Sequence, residues 1–372
     1  MPQSLPIPTT NRAAGQRRPG GPDLGSCATV FLSQEGNRVV GHNLDERFEV
    51  PGLVVINPRG ERKRSVAFSE LLGMPRLRKT PHLNWVSRYG SLTCNVFGRG
   101  FPDGGLNEAG LYVGEMTLLS TVWPSLPGTV RMYHHQWIQY LLDNHATVNE
   151  ALGSLGLALP EGHCRWHFFL ADRTGNAAVV EFIEGRPTVY RGESLPYPLV
   201  CNSRYDEELQ SLESYMGFGG GKDPAAREAG EDPRFRWAAA MLRDYAGEVP
   251  AKDYAFRILD RLDLGSRKWS VVCDLVTARL SFCTSHAPRE KWVGLSAFDL
   301  GRLTHPRALD IHTQVPGDAA HRFTDLTLEW NRQAIARAWE ELPLGFLGRA
   351  FLRPAMIRGM ARFASELGVG SV

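Results

Sequence analysis

The sequence predicts an α+β protein whose strands pair as antiparallel hairpins, with helices before, between and after them. Two observations carry that reading. Short apolar runs rich in β-branched and aromatic residues recur in pairs across Gly, Asn and Asp turns, the pattern of hairpins. A hydrophobic share of 43% with 22% charged residues, over 372 residues, is that of a globular chain able to bury a sizeable core in one large domain or two ordinary ones.

Taken in order, residues 28 to 41 form the first hairpin. Cys27 heads the run Ala28-Thr29-Val30-Phe31-Leu32, the chain turns at Glu35-Gly36-Asn37, and the return leads through Gly41 into His42-Asn43-Leu44-Asp45. Residues 47 to 92 read as irregular, interrupted by Pro51, Pro58, Gly60, Pro75 and Pro81, with Arg62-Lys63-Arg64 as a solvated basic run. A long loop at that point is suited to shaping a pocket mouth. The segment Asp103 to Gly114 turns at Asn107-Glu108 into a core strand. Apolar Met132, Ile138, Leu141 and Leu142 predict a helix over 130–145, and the capping box Thr147-x-x-Glu150 starts another that Gly156 ends. Residues 166 to 183 are two strands joined at Asp172-Arg173-Thr174-Gly175, and a further strand delivers Pro198 to Ser203. Gly217 to Lys222 is a loop, and no Gly-Lys-Ser/Thr follows to make it a phosphate cradle. Asp232-Pro233-Arg234 opens a helix and residues 251 to 264 form the next. Arginine in a helix's first turn opposes the helix dipole, so an acidic partner is expected there. Trp269 to Val276 and Arg279 to Thr284 make a late hairpin, followed by a strand from Trp292 to Phe298. The tail carries helices at Asp325–Leu342 and Pro354–Leu367. The last presents Met356, Met360, Phe363 and Leu367 on one face beside Arg353, Arg358 and Arg362, a pattern suited to packing on its own domain, a partner subunit or a lipid surface.

Several function classes are disfavoured. A net charge of +2 gives no electrostatic reason for a nucleic-acid partner. Six cysteines, at 27, 94, 164, 201, 273 and 283, are scattered without a C-x-x-C pair and read as buried free thiols. His134-His135 and His163-Cys164-x-x-His167 lack the spacing of a known metal motif, so no metal is expected. Membrane contact is disfavoured too, for no apolar run reaches the roughly 18 residues of a spanning helix. Arg17-Arg18 is followed by Pro19-Gly20-Gly21-Pro22-Asp23 rather than an apolar segment, and Leu24-Gly25-Ser26-Cys27 lacks one as well. Residues 1–26 therefore read as the propeptide of a cytoplasmic protein.

A cut before Cys27 would make the thiol residue the chain's amino terminus. A free α-amine titrates near ~8, against roughly 8.5 for an ordinary thiol, so one residue would hold both nucleophile and base. A cysteine heading a strand, with a hairpin closing on G-x-N-x-D at Gly41 to Asp45, resembles the amino-terminal-nucleophile hydrolases of the choloylglycine hydrolase and penicillin V acylase family. Further segments resemble that family in the same order: Asp103-Gly104-Gly105-Leu106-Asn107-Glu108-Ala109-Gly110-Leu111, the 166–183 hairpin, Cys201-Asn202-Ser203, and the helix start Arg234-Phe235-Arg236-Trp237-Ala238. The likeness runs from Cys27 to about Leu300 and implies a four-layer αββα sandwich of two antiparallel sheets. It gives a catalytic domain at 27–310 and leaves 311–372 as a helical extension outside the pattern.

The resemblance also assigns roles. Cys27 becomes the nucleophile, Asp45 orients its amine, Asn202 and a backbone amide at Thr117 hold the oxyanion, and Arg234 anchors the Cys27–Asp45 cluster or a substrate group. His42 stands where most relatives have arginine, so Arg47 swings in, His42 is protonated, or activation differs. The implied reaction is hydrolysis of a linear N-acyl amide such as penicillin V, a conjugated bile acid, an acyl-homoserine lactone or an N-acyl amino acid. G-H-N-x-D also occurs in the acyl-coenzyme A:6-aminopenicillanate acyltransferase-like branch, the second enzymatic reading. A binding domain that never processes is the non-enzymatic one. No metal or organic cofactor is needed, the partner is a small molecule, and the family's habit favours a homo-oligomer.

Overall fold

The computed structural model describes residues 27–34, 36–74, 82–126, 128–227 and 230–367; the segment read as a propeptide lies outside them. Two sheets form its centre. The first has seven strands in the order Leu199–Val200, Ala28–Leu32, Val39–Asp45, Arg267–Asp274, Arg279–Thr284, Lys291–Gly294 and Gly317–Asp318, antiparallel except for the last pair. The second has nine: Arg186–Arg191, Ala177–Ile183, Trp166–Asp172, Leu111–Thr117, Gly104–Asn107, Ser91–Asn95, Leu53–Asn57, Arg307–Asp310 and Thr324–Asp325, antiparallel throughout.

Strand periodicity explains the layering. Side chains alternate along a strand, so a strand with two buried faces must be apolar throughout. In Leu111–Thr117, Tyr112 and Met116 join the core between the sheets, and Leu111 and Val113 join a second core beneath the helix His134–Asn144. There Trp137 meets Phe168 edge-on at 4.7 Å. On the far side, the helix Ala251–Leu262 lies over the first sheet, with Leu259 and Ala255 against Gly41. The result is helix, sheet, sheet, helix.

Several elements differ from the sequence reading. Leu53–Asn57 is a fully buried strand inside the stretch read as irregular, because Pro51 and Pro58 bracket the run Leu-Val-Val-Ile-Asn instead of breaking it. Lys63 is not solvated: Arg62–Arg64 pairs with Asn84–Val86, and the Lys63 ammonium is buried 2.9 Å from Asp143. The helix expected over 130–145 starts only at His134. Val130–Tyr133 is a strand that pairs in parallel with Ala158–Glu161. The strand expected to Phe298 stops at Gly294 and tightens into a 3₁₀ turn. The Thr147 cap is as expected, its hydroxyl accepting from the Glu150 amide at 3.2 Å.

The tail's apolar face is covered by its own chain. Met356, Met360 and Phe363 of the helix Arg353–Glu366 cluster with Trp339 and Ile335 of Leu328–Glu341, and with Val66, Leu71, Phe101 and Tyr133. Arg362 donates to the Glu70 carbonyl at 3.2 Å, and Arg64 pairs with Glu366 at 2.8 Å. That face is therefore spent on intramolecular burial and does not serve as a docking surface. No helix among the described residues is long and apolar enough to cross a membrane.

Gly359 lies where this helix crosses Leu71, and a Cβ there would sit 1.8 Å from the Leu71 carbonyl oxygen. Helix propensity alone gives Gly359→Ala about 1 kcal/mol of stabilisation. The expected outcome is the opposite, a clear fall in Tm by calorimetry, because the clash forces the helix off the core.

Candidate active site

Cys27 immediately precedes Ala28–Leu32, which runs antiparallel to both neighbours. Its register pairs Ala28 with Asn43 and Thr29 with Val200. The start of one strand thus lies beside the ends of two others, bringing Cys27, Asp45 and Cys201-Asn202 to one edge of the sheet. Thr117 ends a strand of the second sheet at the same place, and the Asn202 amide donates to its carbonyl at 2.8 Å.

Arg234, the first residue of Arg234–Asp244, ties these pieces together. Its guanidinium donates to the Cys27 carbonyl at 3.2 Å and to the Asn202 side-chain oxygen at 3.0 Å. It also forks onto Asp232, with contacts of 2.9 and 2.5 Å. Cys27, Asp45 and Arg234 are each 2% exposed or less. The Asp45 carboxylate is different: neither oxygen has a hydrogen-bond partner. Burial, opposed by Arg234, raises its pKa to about 7. Burial, then the charges of Glu115 and Asp45, push the Cys27 thiol well up, while the Asp45 backbone N–H, hydrogen-bonded to it, works the other way.

Residues 27–229 match the family described as linear amide C-N hydrolases, choloylglycine hydrolase family. The chain belongs to this family. It is accordingly a hydrolase of carbon–nitrogen bonds other than peptide bonds. It is 25% identical over 260 residues to a penicillin V acylase of Pectobacterium atrosepticum, covering 57% of this chain and 68% of that protein. Its fold is similar to that of penicillin V acylase from Agrobacterium tumefaciens, with a TM-score of 0.67 at 23% identity over 81% of this chain and 98% of the other. A conjugated bile acid hydrolase variant from Clostridium perfringens gives 0.60 at 15% identity, over 78% and 98%. These likenesses establish the four-layer fold of two antiparallel sheets between helices.

Within this choloylglycine hydrolase fold, the six residues singled out from sequence separate into two groups. Cys27, Asp45, Thr117, Asn202 and Arg234 gather at the sheet edge. His42 stands apart, its Nδ1 sharing a 2.8 Å hydrogen bond with the Thr29 hydroxyl, which in turn donates to the Met116 sulfur at 2.8 Å. Burial lowers its pKa to about 4, so the ring is neutral at pH 7 and brings no charge to the thiol. Arg47 is exposed. The cation touching Cys27 is Arg234. Two acids escaped the sequence reading. Asp232 stood in plain view as the acid before a helix-opening arginine, and supplies the partner that the dipole argument called for. Glu115 is a lone carboxyl in a strand buried on both faces, and burial, then the charges of Asp103 and Glu46, raise its pKa well above the ordinary range.

Raised to about 7, Asp45 stays protonated in the folded chain where the unfolded chain, near 3.8, would ionise. Ionising it therefore removes stability as pH climbs between those values. In a Cys27→Ala background, adding Asp45→Asn is expected to raise Tm at pH 8. The advantage should narrow toward pH 5. A gap independent of pH in thermal melts would contradict the buried, unpaired carboxylate.

Proposed function

We propose that removal of residues 1–26 exposes the α-amine of Cys27, and that Cys27 then hydrolyses a linear N-acyl amide. The observation that carries this reading is the Asp45 carboxylate, buried with both oxygens unpartnered while its backbone N–H meets the Cys27 thiol. A buried carboxylate without a hydrogen-bond partner is held toward its neutral form. An ammonium created at Cys27 by cleavage of the Ser26–Cys27 bond would supply that partner and favour the ionised carboxylate. That the family similarity begins at residue 27 supports the same cut.

The reaction follows in two halves. The α-amine takes the thiol proton, the thiolate attacks the amide carbon, and the oxyanion of the tetrahedral intermediate is met by the Asn202 amide and a backbone amide at Thr117. The ammonium gives its proton to the departing nitrogen, the carbon–nitrogen bond breaks, and a thioester remains on Cys27. Water, deprotonated by the same amine, then releases the carboxylic acid and regenerates the thiol. Asp45 holds the ammonium in its charged form. Arg234 positions the Cys27 carbonyl and Asn202 without entering the chemistry.

Among substrates, the likeness to a penicillin V acylase favours penicillin V first, with conjugated bile acids, acyl-homoserine lactones and N-acyl amino acids next. Six free cysteines suit a reducing cytoplasm, and the family resemblance supports a homo-oligomer built on the catalytic unit 27–310 with 311–372 as its extension.

Intact mass and amino-terminal sequencing of active enzyme should both begin at Cys27. An active protein starting at Met1 or Pro2 would overturn the mechanism. With hydrolysis followed on a panel of N-acyl amides, Cys27→Ser is expected to impair turnover. Asn202→Ala should lower kcat roughly a hundredfold or more, the size of one oxyanion donor, with the fold intact by circular dichroism. Near-normal rates in Asn202→Ala would remove that residue from the oxyanion site.

A further inference from the structure

A second cluster of polar side chains, none of them in the Cys27 group, lies where the helix His134–Asn144 begins and the loop 162–165 passes over it. One ligand atom from each of His134, His163 and Cys164 can be chosen so that all three lie within 4.8 Å of one another. His134 is completely buried, yet neither ring nitrogen has a hydrogen-bond partner. Buried polar atoms are almost always satisfied, and leaving one bare costs about 1–3 kcal/mol. A satisfied core histidine in the same protein looks different: His167 meets Glu181 at 3.1 Å through one nitrogen and the Cys201 carbonyl at 2.8 Å through the other.

The surroundings hold the His134 ring by its faces and leave its nitrogens bare. Trp166 meets it edge-on at 4.1 Å and Tyr133 packs against it at 4.2 Å. The loop is pinned by the Trp123 indole, which donates to the Cys164 carbonyl at 2.9 Å. Gly162 has φ +155, and a Cβ there would fall 2.0 Å from the His134 ring, so only glycine lets the loop bring His163 and Cys164 this close. His163 is exposed and Cys164 half-buried, so one side of the cluster opens to solvent.

We propose that His134, His163 and Cys164 bind one Zn²⁺, with water in a fourth, open position. Two imidazoles and a thiolate are the borderline-soft donor set that zinc takes, and they disfavour Mg²⁺ and Ca²⁺. Bonds of ~2.0–2.3 Å place tetrahedral ligand atoms roughly 3.4–3.7 Å apart, within reach of small side-chain rotations here. Binding breaks the Cys164 S–H bond, forms the zinc–sulfur bond, and releases that proton to solvent. The ion gives the bare His134 nitrogen its partner.

The full-length protein, stripped with a chelator and dialysed against Zn²⁺, should retain one ion per chain by elemental analysis. Co²⁺ in its place should give a tetrahedral spectrum with a thiolate-to-cobalt charge-transfer band. Cys164→Ala should abolish the band. His163→Ala should weaken Zn²⁺ binding by more than the roughly 10–100-fold that loss of an outer-shell partner already costs. Both side chains reach the surface, so circular dichroism should show an intact fold. Absence of stoichiometric zinc would overturn the site. So would undiminished binding in the Cys164→Ala, His163→Ala double variant, or a cobalt–thiolate band that vanishes with Cys27→Ala and survives Cys164→Ala.

Discussion

The architecture of the sheet edge rests on one buried guanidinium. Taking an ion of this size out of water carries an effective penalty of several kcal/mol, repaid only if its donors find partners. Arg234 meets that demand with Asp232, the Asn202 oxygen and the Cys27 carbonyl, three pieces of chain far apart in sequence. A planar fork can serve them at once, which a lysine ammonium on a flexible stem cannot. The need to satisfy one cation therefore sets where the first strand begins and where the Leu199–Val200 strand ends.

The surrounding charge is lopsided. Asp45, Glu46 and Asp103 all have their pKa values raised to about 7, in each case chiefly by burial, and burial raises Glu115 as well. Against these acids stand Arg267 beside Asp45, Lys268 beside Glu46 and Arg234, which already shares its charge with Asp232. On the proposed mechanism, cleavage adds a cation at Cys27, so maturation and relief of this imbalance become one event. On that proposal, the covalent change that creates the nucleophile also brings a cation beside carboxyls that burial holds toward their neutral form.

Much of the fold could be read directly because its turns are local. Asp172-Arg173-Thr174-Gly175 joins two strands found at Trp166–Asp172 and Ala177–Ile183, close to the expected limits. The gathering of Cys27, Asp45, Asn202 and Arg234 was expected because the short segments around them resemble the family's, in the same order. What escaped depends on tertiary context. Prolines flanking Leu53–Asn57 disguised a central strand, and Lys63 looked solvated because its partner Asp143 lies on a distant helix. His42 carries no mark in the sequence of a neutral ring bonded to Thr29; only burial decides that. His134 and Cys164 fail every spacing rule for a metal motif because a loop, not a helix or hairpin, brings them together.

That loop connects the candidate zinc cluster to the chain's last helices. His163 stacks on Phe68 at 5.2 Å and lies 5.9 Å from Trp339, which donates to the Met360 sulfur at 3.1 Å. Tyr133, beside His134, belongs to the same core as Met356 and Phe363. The carboxy-terminal helices thus bury their apolar faces against the wall that holds the histidines. A face of that kind stabilises what it covers, because dispersion and burial act only on the surfaces in contact. The tail's contribution is therefore local: it braces the 162–165 loop and the start of the His134–Asn144 helix, while the Arg234 hub stands on its own hydrogen bonds.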